Sequence, residues 1–107
     1  MNVQELTLLI HQGEGHTVEF KKSSTDITKD VYETICALSN RDGGHVILGV
    51  SDNGTITGIA AERIEQMKKD FVTSINNANK VHPNIPSCTL EKHLSLLRLM
   101  CFQQLSP

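Results

Sequence analysis

The passage that most constrains this chain runs Asn40-Arg41-Asp42-Gly43-Gly44-His45-Val46-Ile47-Leu48-Gly49-Val50, then Ser51-Asp52-Asn53-Gly54. Ahead of it, Ile27, Val31, Ile35 and Leu38 recur at helical spacing and make one apolar stripe. That helix should stop by Arg41, before the doubled glycine. Val46 to Val50 is apolar almost throughout, which suits a strand buried on both faces. Asn53-Gly54 predicts a type I′ hairpin turn, because such a turn needs positive φ at both central residues. The return strand is then expected over Thr55-Ile56-Thr57-Gly58-Ile59. Asp52 falls at the strand's mouth, where a carboxylate can face a cleft, although most such aspartates solvate a turn.

The rest of the chain supplies partners for that strand. Leu6, Leu8, Leu9 and Ile10 suggest a short helix over Gln4 to His11, ending near Gly13. Thr17 to Lys21 alternates with period two, placing Val18 and Phe20 on one face and Glu19 and Lys21 on the other. Asp26 or Thr28 can cap the helix that follows. Ile64, Met67, Phe71, Ile75 and Ala78 predict a helix from Glu62 to Asn79, broken off by Pro83 and Pro86. Cys88 to Phe102 reads as strand, with Leu90, Leu94 and Leu96 on one parity; a helix aligning Leu90, Leu94, Leu97 and Cys101 fits as well. The sum is a single α+β domain over residues 1–107, with a mixed, mainly antiparallel sheet and helices packed on it.

Composition narrows the functional classes. With 4% aromatic residues and no Trp, the core must be aliphatic. No apolar stretch is long enough to span a bilayer, and Met1 to Glu5 lacks the basic start of a signal peptide. The three cysteines, Cys36, Cys88 and Cys101, are widely spaced and form no CxxC, so reduced thiols in a cytoplasmic protein are expected rather than a zinc site. Asn53-Gly54-Thr55 matches a glycosylation sequon but is read as turn chemistry. A net charge of −2 means that any nucleic-acid role must rest on a local patch.

One set of motifs carries a family resemblance. Gly13-Glu14-Gly15-His16-Thr17-Val18-Glu19-Phe20-Lys21, then Ala37-Leu38-Ser39-Asn40 with Gly43-Gly44, then Leu48-Gly49-Val50-Ser51-Asp52-Asn53-Gly54 and Thr57-Gly58-Ile59, together resemble the Schlafen AlbA-like domain, a DNA-binding type. The resemblance covers about Glu14 to Asn79, and Leu94 to Pro107 departs from it, as in a truncated or irregular member. It implies a nucleic-acid-binding domain of a transcriptional regulator or helicase-related protein, with DNA or RNA as partner. In animal Schlafen proteins a similar domain is an endoribonuclease using two glutamates and an aspartate with a divalent metal. Transferred by motif, those acids are Glu14, Glu19 and Asp52, which would be both catalytic residues and ligands of Mg²⁺ or Mn²⁺.

Physical chemistry qualifies that transfer. Glu14 and Glu19 are five residues apart, so a straight strand points them to opposite faces; they converge only if Gly13 and Gly15 bend the chain. If Asp52 lies on a neighbouring strand, three carboxylates make a hard-oxygen site suited to Mg²⁺ or Mn²⁺. Otherwise Glu19 pairs with Lys21 or Lys22, Glu14 is solvated and Asp52 caps a turn. For nucleic acid, Lys21, Lys22, Asn40 and Arg41 offer charge and amide groups, and Gly43 and Gly44 offer exposed backbone N–H. His16 reads as a surface loop histidine and His45 as a structural hydrogen-bonder. No GxxxxGK[ST] occurs, so phosphate-loop chemistry has no support. A third reading is self-association as a homodimer through Leu96, Leu97, Leu99, Met100 and Phe102, should these remain exposed.

Overall fold

A computed structural model describes residues 1–75 and 88–101 of the chain. Three helices, α1 (Val3–Gln12), α2 (Lys29–Ser39) and α3 (Ala61–Ile75), are combined with four strands, β1 (Val18–Lys21), β2 (Gly44–Leu48), β3 (Cys88–His93) and β4 (Leu96–Cys101). The strands form one sheet in the order β1-β2-β4-β3. β1 runs parallel to β2 through the α2 crossover, while β2–β4 and β3–β4 are antiparallel. The expected α+β fold with a mixed, mainly antiparallel sheet is what forms.

Periodicity decides how the layers meet. On β2, Val46 and Leu48 face one way and join Val31, Ile35, Leu38, Ile64, Met67, Phe71, Leu97 and Leu99 in a core under α2 and α3. Ile47 faces the other way and joins Val18, Phe20, Leu6, Ile10, Val50 and Leu96 under α1. Val46, Ile47 and Leu48 are all fully buried, as a strand covered on both faces requires. The aromatic contribution is small: Tyr32 and Phe71 stack with centroids 6.3 Å apart, and most of the core is aliphatic. α1 starts at Asn2, whose side chain accepts from the Glu5 N–H at 2.8 Å, and ends at Gly13, at φ +83°. Thr28 occupies the cap position of α2.

Two expectations are corrected. The predicted return strand over Thr55 to Ile59 is reduced to a single bridge between Val50 and Ile56. Its reason is topological: β2 has β1 on one side and β4 on the other, so no edge remains for residues 55–59. Gly49, at φ +97°, takes the chain out of the sheet, and its carbonyl accepts from the N–H groups of Thr57 and Gly58. The turn is not type I′ either, because Asn53 does not have positive φ; Gly54 alone does, and its N–H closes back on the Ser51 carbonyl at 2.9 Å. In the second correction, the tail is not one strand but a hairpin. Leu94 sits at its tip at φ +56°, so Leu90 joins the α2/α3 core while Leu96 joins the α1 core. The apolar run offered for self-association is consequently internal: Leu96, Leu97 and Leu99 are buried and Met100 half-buried. Phe102 lies outside the described residues, as do the expected helix end at Asn79 and the breaks at Pro83 and Pro86.

Candidate nucleic-acid interface

Glu14 lies beside β1, Glu19 within it and Asp52 in the turn after β2, near enough that the charges of Glu19 and Asp52 act on Glu14. Gly13 and Gly15 do bend the chain: Gly15 bridges back to Val18, so residues 13–15 run beside the outer edge of β1. From there Glu14 turns its carboxylate inward and Oε1 accepts the Phe20 N–H at 3.3 Å. That bond satisfies a donor on an edge strand that would otherwise stand open. Glu14 is held above the usual carboxylate range, first by the burial of its carboxyl end and then by the negative charges of Glu19 and Asp52; the Phe20 bond and Lys21 pull the other way. Glu19 is half-buried on β1, opposite Val46, and Asp52 is exposed in the turn after β2. Among the described residues, no three His, Cys, Asp or Glu side chains are arranged to hold a metal ion. One Glu14 oxygen is bonded to the Phe20 N–H, and as arranged the three acids do not form a divalent-cation site.

The lysines and the doubled glycine occupy opposite ends. Lys21 pairs not with Glu19 but with Asp30 at the start of α2, at 3.0 Å, and Asp30 is held below its usual range by hydrogen bonds from Thr28 and Lys21. Lys22 is exposed and has no ion pair among the described residues. It borders a hollow of about 400 Å³ with Ser51, Asp52 and Asn53. Asn40 is the C-cap of α2 and Arg41 donates through Nε to the Ala37 carbonyl at 3.3 Å. Asp30 holds Lys21 at the first turn of α2 and Asn40 and Arg41 follow its last residue, so the helix, 11 residues or about 16 Å long, lies between the two groups.

Gly43 and Gly44 are accounted for by the fold. The Gly43 N–H donates to the Leu38 carbonyl at 2.8 Å and closes the helix, so the expectation of an exposed donor there does not hold. A Cβ on Gly44 would lie 2.3 Å from the Thr17 carbonyl oxygen, which leaves room only for glycine where β1 and β2 begin. His16 is an exposed loop residue whose Nε2 meets Asp42 at 2.6 Å, tying the same end together.

Away from this edge, a polar cluster crosses β2, β4 and β3. Arg98, 4% exposed, reaches His45 Nδ1 at 3.1 Å and donates to Glu91 at 2.6 Å, while His93 meets the same Glu91 oxygen at 3.0 Å. Arg98 and His93 lower Glu91 to about 2. His45 is pushed down by burial and by Arg98. His45 is thus the structural hydrogen-bonder its position suggested. The sequence reading passed over Arg98, although a lone charge in Leu96-Leu97-Arg98-Leu99-Met100 signals a buried partner. Ser51 and Asn53 border the hollow beside Lys22, a place that their position around a turn does not signal.

A family model described as Schlafen, AlbA_2 matches residues 14–105. The chain belongs to the Schlafen AlbA_2 family. The match takes in the β3–β4 hairpin as well as the motifs between Glu14 and Asn79, so the AlbA_2 pattern includes the part of the chain whose sequence looked divergent. The family is generally associated with nucleic acids. No curated protein matches this AlbA_2 chain. No described helix is long and apolar enough to cross a membrane.

Proposed function

We propose that this AlbA_2 domain binds nucleic acid, as the DNA- or RNA-contacting module of a regulator or helicase-related protein. The observation that carries the reading is Lys22: an exposed lysine without an ion pair among the described residues, beside a hollow at the carboxyl ends of two parallel strands. In open sheets with a helical crossover, that end is where ligands bind. Arg41 and Asn40, just past the far end of α2, give a second anchor. Lys21, although tied to Asp30, stands beside Lys22 and adds charge at the first anchor. Gly43 and Gly44 contribute by shaping the turn that carries Arg41, not by donating to phosphate.

Fluorescence anisotropy with labelled single-stranded and duplex DNA and RNA at two salt concentrations tests this. Binding should weaken with salt, and Lys22→Ala or Arg41→Ala should each flatten the salt slope by nearly one unit. Affinity indifferent to salt and to both substitutions overturns the proposal.

A second reading, metal-dependent cleavage of RNA by Glu14, Glu19 and Asp52, is favoured by one observation, the mutual repulsion that helps raise Glu14. It requires Glu14 to leave Phe20 and the acids to rearrange. Its test is cleavage in Mn²⁺ that disappears in EDTA and in Glu19→Gln while binding survives; no cleavage in Mn²⁺ removes it.

A further inference from the structure

Two hollows meet at the projecting turn after β2. One is the Lys22 hollow already described. The other, about 310 Å³, lies between α1 and residues 53–56, lined by Thr7, Ile10, His11, Asn53, Thr55 and Ile56. Asn53 borders both.

The side chain of Asn53 is fixed in a way that bears on what can sit there. The Thr55 N–H donates to its Oδ1 at 3.0 Å, and the Ser51 hydroxyl donates to the same oxygen. A backbone N–H can only donate, so the atom it meets must be the amide oxygen. The amide nitrogen therefore keeps both its N–H groups, and nothing among the described residues accepts from them. The turn spends the acceptor half of the amide and presents the donor half, with its orientation already paid for. Around it stand the His11 ring, exposed, and the Thr55 hydroxyl, each able to donate or accept. Ile10 and Ile56 supply apolar wall, and Ile56 is 56% exposed.

We propose that this second hollow is a subsite for one unstacked nucleobase of a single strand. A base has a flat apolar face and a hydrogen-bonding edge, which match Ile56 with His11 on one hand and Asn53 with Thr55 on the other. Its own phosphate has to lie close by, and Lys22 stands on the far side of the same turn. Charge supports the division of labour. With a net charge of −2 and Asp52 lining the Lys22 hollow, phosphate contacts alone give little affinity, so contacts to the base have to supply the rest. Duplex nucleic acid, whose bases are paired and stacked, cannot use the site. The inference rests on the nucleic-acid reading above and adds to it a strand type and a second contact.

The test compares the full chain and three variants on two labelled single strands, one normal and one of equal length carrying abasic sites throughout. The normal strand should bind roughly tenfold more tightly, the range expected for stacking one or more bases. Ile56→Ser and His11→Ala, both at exposed positions and checked for an unchanged thermal melt, should remove most of that difference without altering affinity for the abasic strand. In a ¹⁵N spectrum, the Asn53 side-chain amide should shift with the normal strand and stay put with the abasic one. If both variants bind the normal strand like wild type while Lys22→Ala weakens it, the base subsite is wrong and the binding reading stands. If wild type binds neither strand, both fall together.

Discussion

Gly44→Ala tests the role assigned to the doubled glycine, and its size follows from three distances. The added Cβ would stand 2.3 Å from the Thr17 oxygen, 2.9 Å from its carbonyl carbon and 3.0 Å from its Cα. All three are backbone atoms, so no side chain can swing aside. The backbone at Gly44 also has φ +147°, where an L side chain is strained. Relief requires β1 and β2 to separate at their first rung, where the His45 N–H donates to the same Thr17 oxygen at 2.8 Å. Strain costs about 1–3 kcal/mol and the weakened hydrogen bond about 1 kcal/mol, for a total of about 2–4 kcal/mol. In a domain of this size each kcal/mol lowers Tm by about 4 °C, so the melt followed by far-UV circular dichroism should fall by roughly 8–16 °C. Gly15→Ala is the control. Its Cβ meets nothing within 4 Å and its φ is ordinary, so it should melt within a few degrees of wild type or slightly above it. A Gly44→Ala melt within about 2 °C of wild type refutes the close-approach argument. The doubled glycine would then have to be explained by a ligand.

Other substitutions probe the remaining joints. Glu14→Gln keeps an oxygen for the Phe20 N–H and should unfold in urea near the wild-type midpoint, whereas Glu14→Ala should lose about 1 kcal/mol. Phe71→Ala removes a ring only 2% exposed and its stack on Tyr32, at a cost of about 3–5 kcal/mol in the same assay. Because His45 is pushed below the ordinary imidazole value of 6.5, the unfolded chain binds its proton first; stability should fall as pH drops through 6.5, and His45→Gln, which still offers Arg98 an acceptor, should flatten that limb. Glu91, depressed from 4.5 to about 2, contributes stability that is complete above pH 4.5 and lost as pH falls toward 2; Glu91→Gln should show a shallower loss of urea midpoint across that window.

How much of this was legible depends on whether the cause is local. Val46, Ile47 and Leu48 declare a doubly covered strand by composition alone, and the Val31, Ile35, Leu38 stripe declares the helix that covers one face. Capping at Asn40 and the stop at Gly43 are equally local. What the sequence could not yield is pairing order. Nothing in Thr55 to Ile59 says that β4 will take the edge of β2, because the competitor lies some forty residues downstream. The same blindness hid Arg98, whose partners His45 and Glu91 come from two other strands. For the candidate site, family resemblance picked out Glu14, and the fold sets one of its carboxylate oxygens against the Phe20 N–H, a bond that no spacing rule predicts. Lys21 and Lys22 look equivalent in sequence; only the fold gives one of them to Asp30 and leaves the other exposed.

The displaced hairpin is also what makes a site available. Had residues 55–59 paired along β2, Ser51 to Gly54 would have been a tight two-residue turn at the end of two aligned strands, with its polar groups spent on the ladder. β4 instead occupies that edge, and Gly49 turns the chain away before Val50. The turn then projects beside α1, tied back by the Val50–Ile56 bridge, by the Thr57 and Gly58 N–H groups on the Gly49 carbonyl and by its own hydrogen bonds. This projection separates the Lys22 hollow from the His11 hollow and puts Asn53 on the wall between them. The opposite end of the sheet shows the contrast: Gly43, Gly44 and the His16–Asp42 pair close its backbone, and what it offers a phosphate is the side chains of Asn40 and Arg41. Recognition in this AlbA_2 domain is therefore expected where the β2 strand fails to continue, and the strength of any base contact should track the rigidity of the 51–55 turn. Ser51→Ala, which removes one of the two donors that hold Asn53, should weaken binding of the normal strand and leave the abasic strand unaffected.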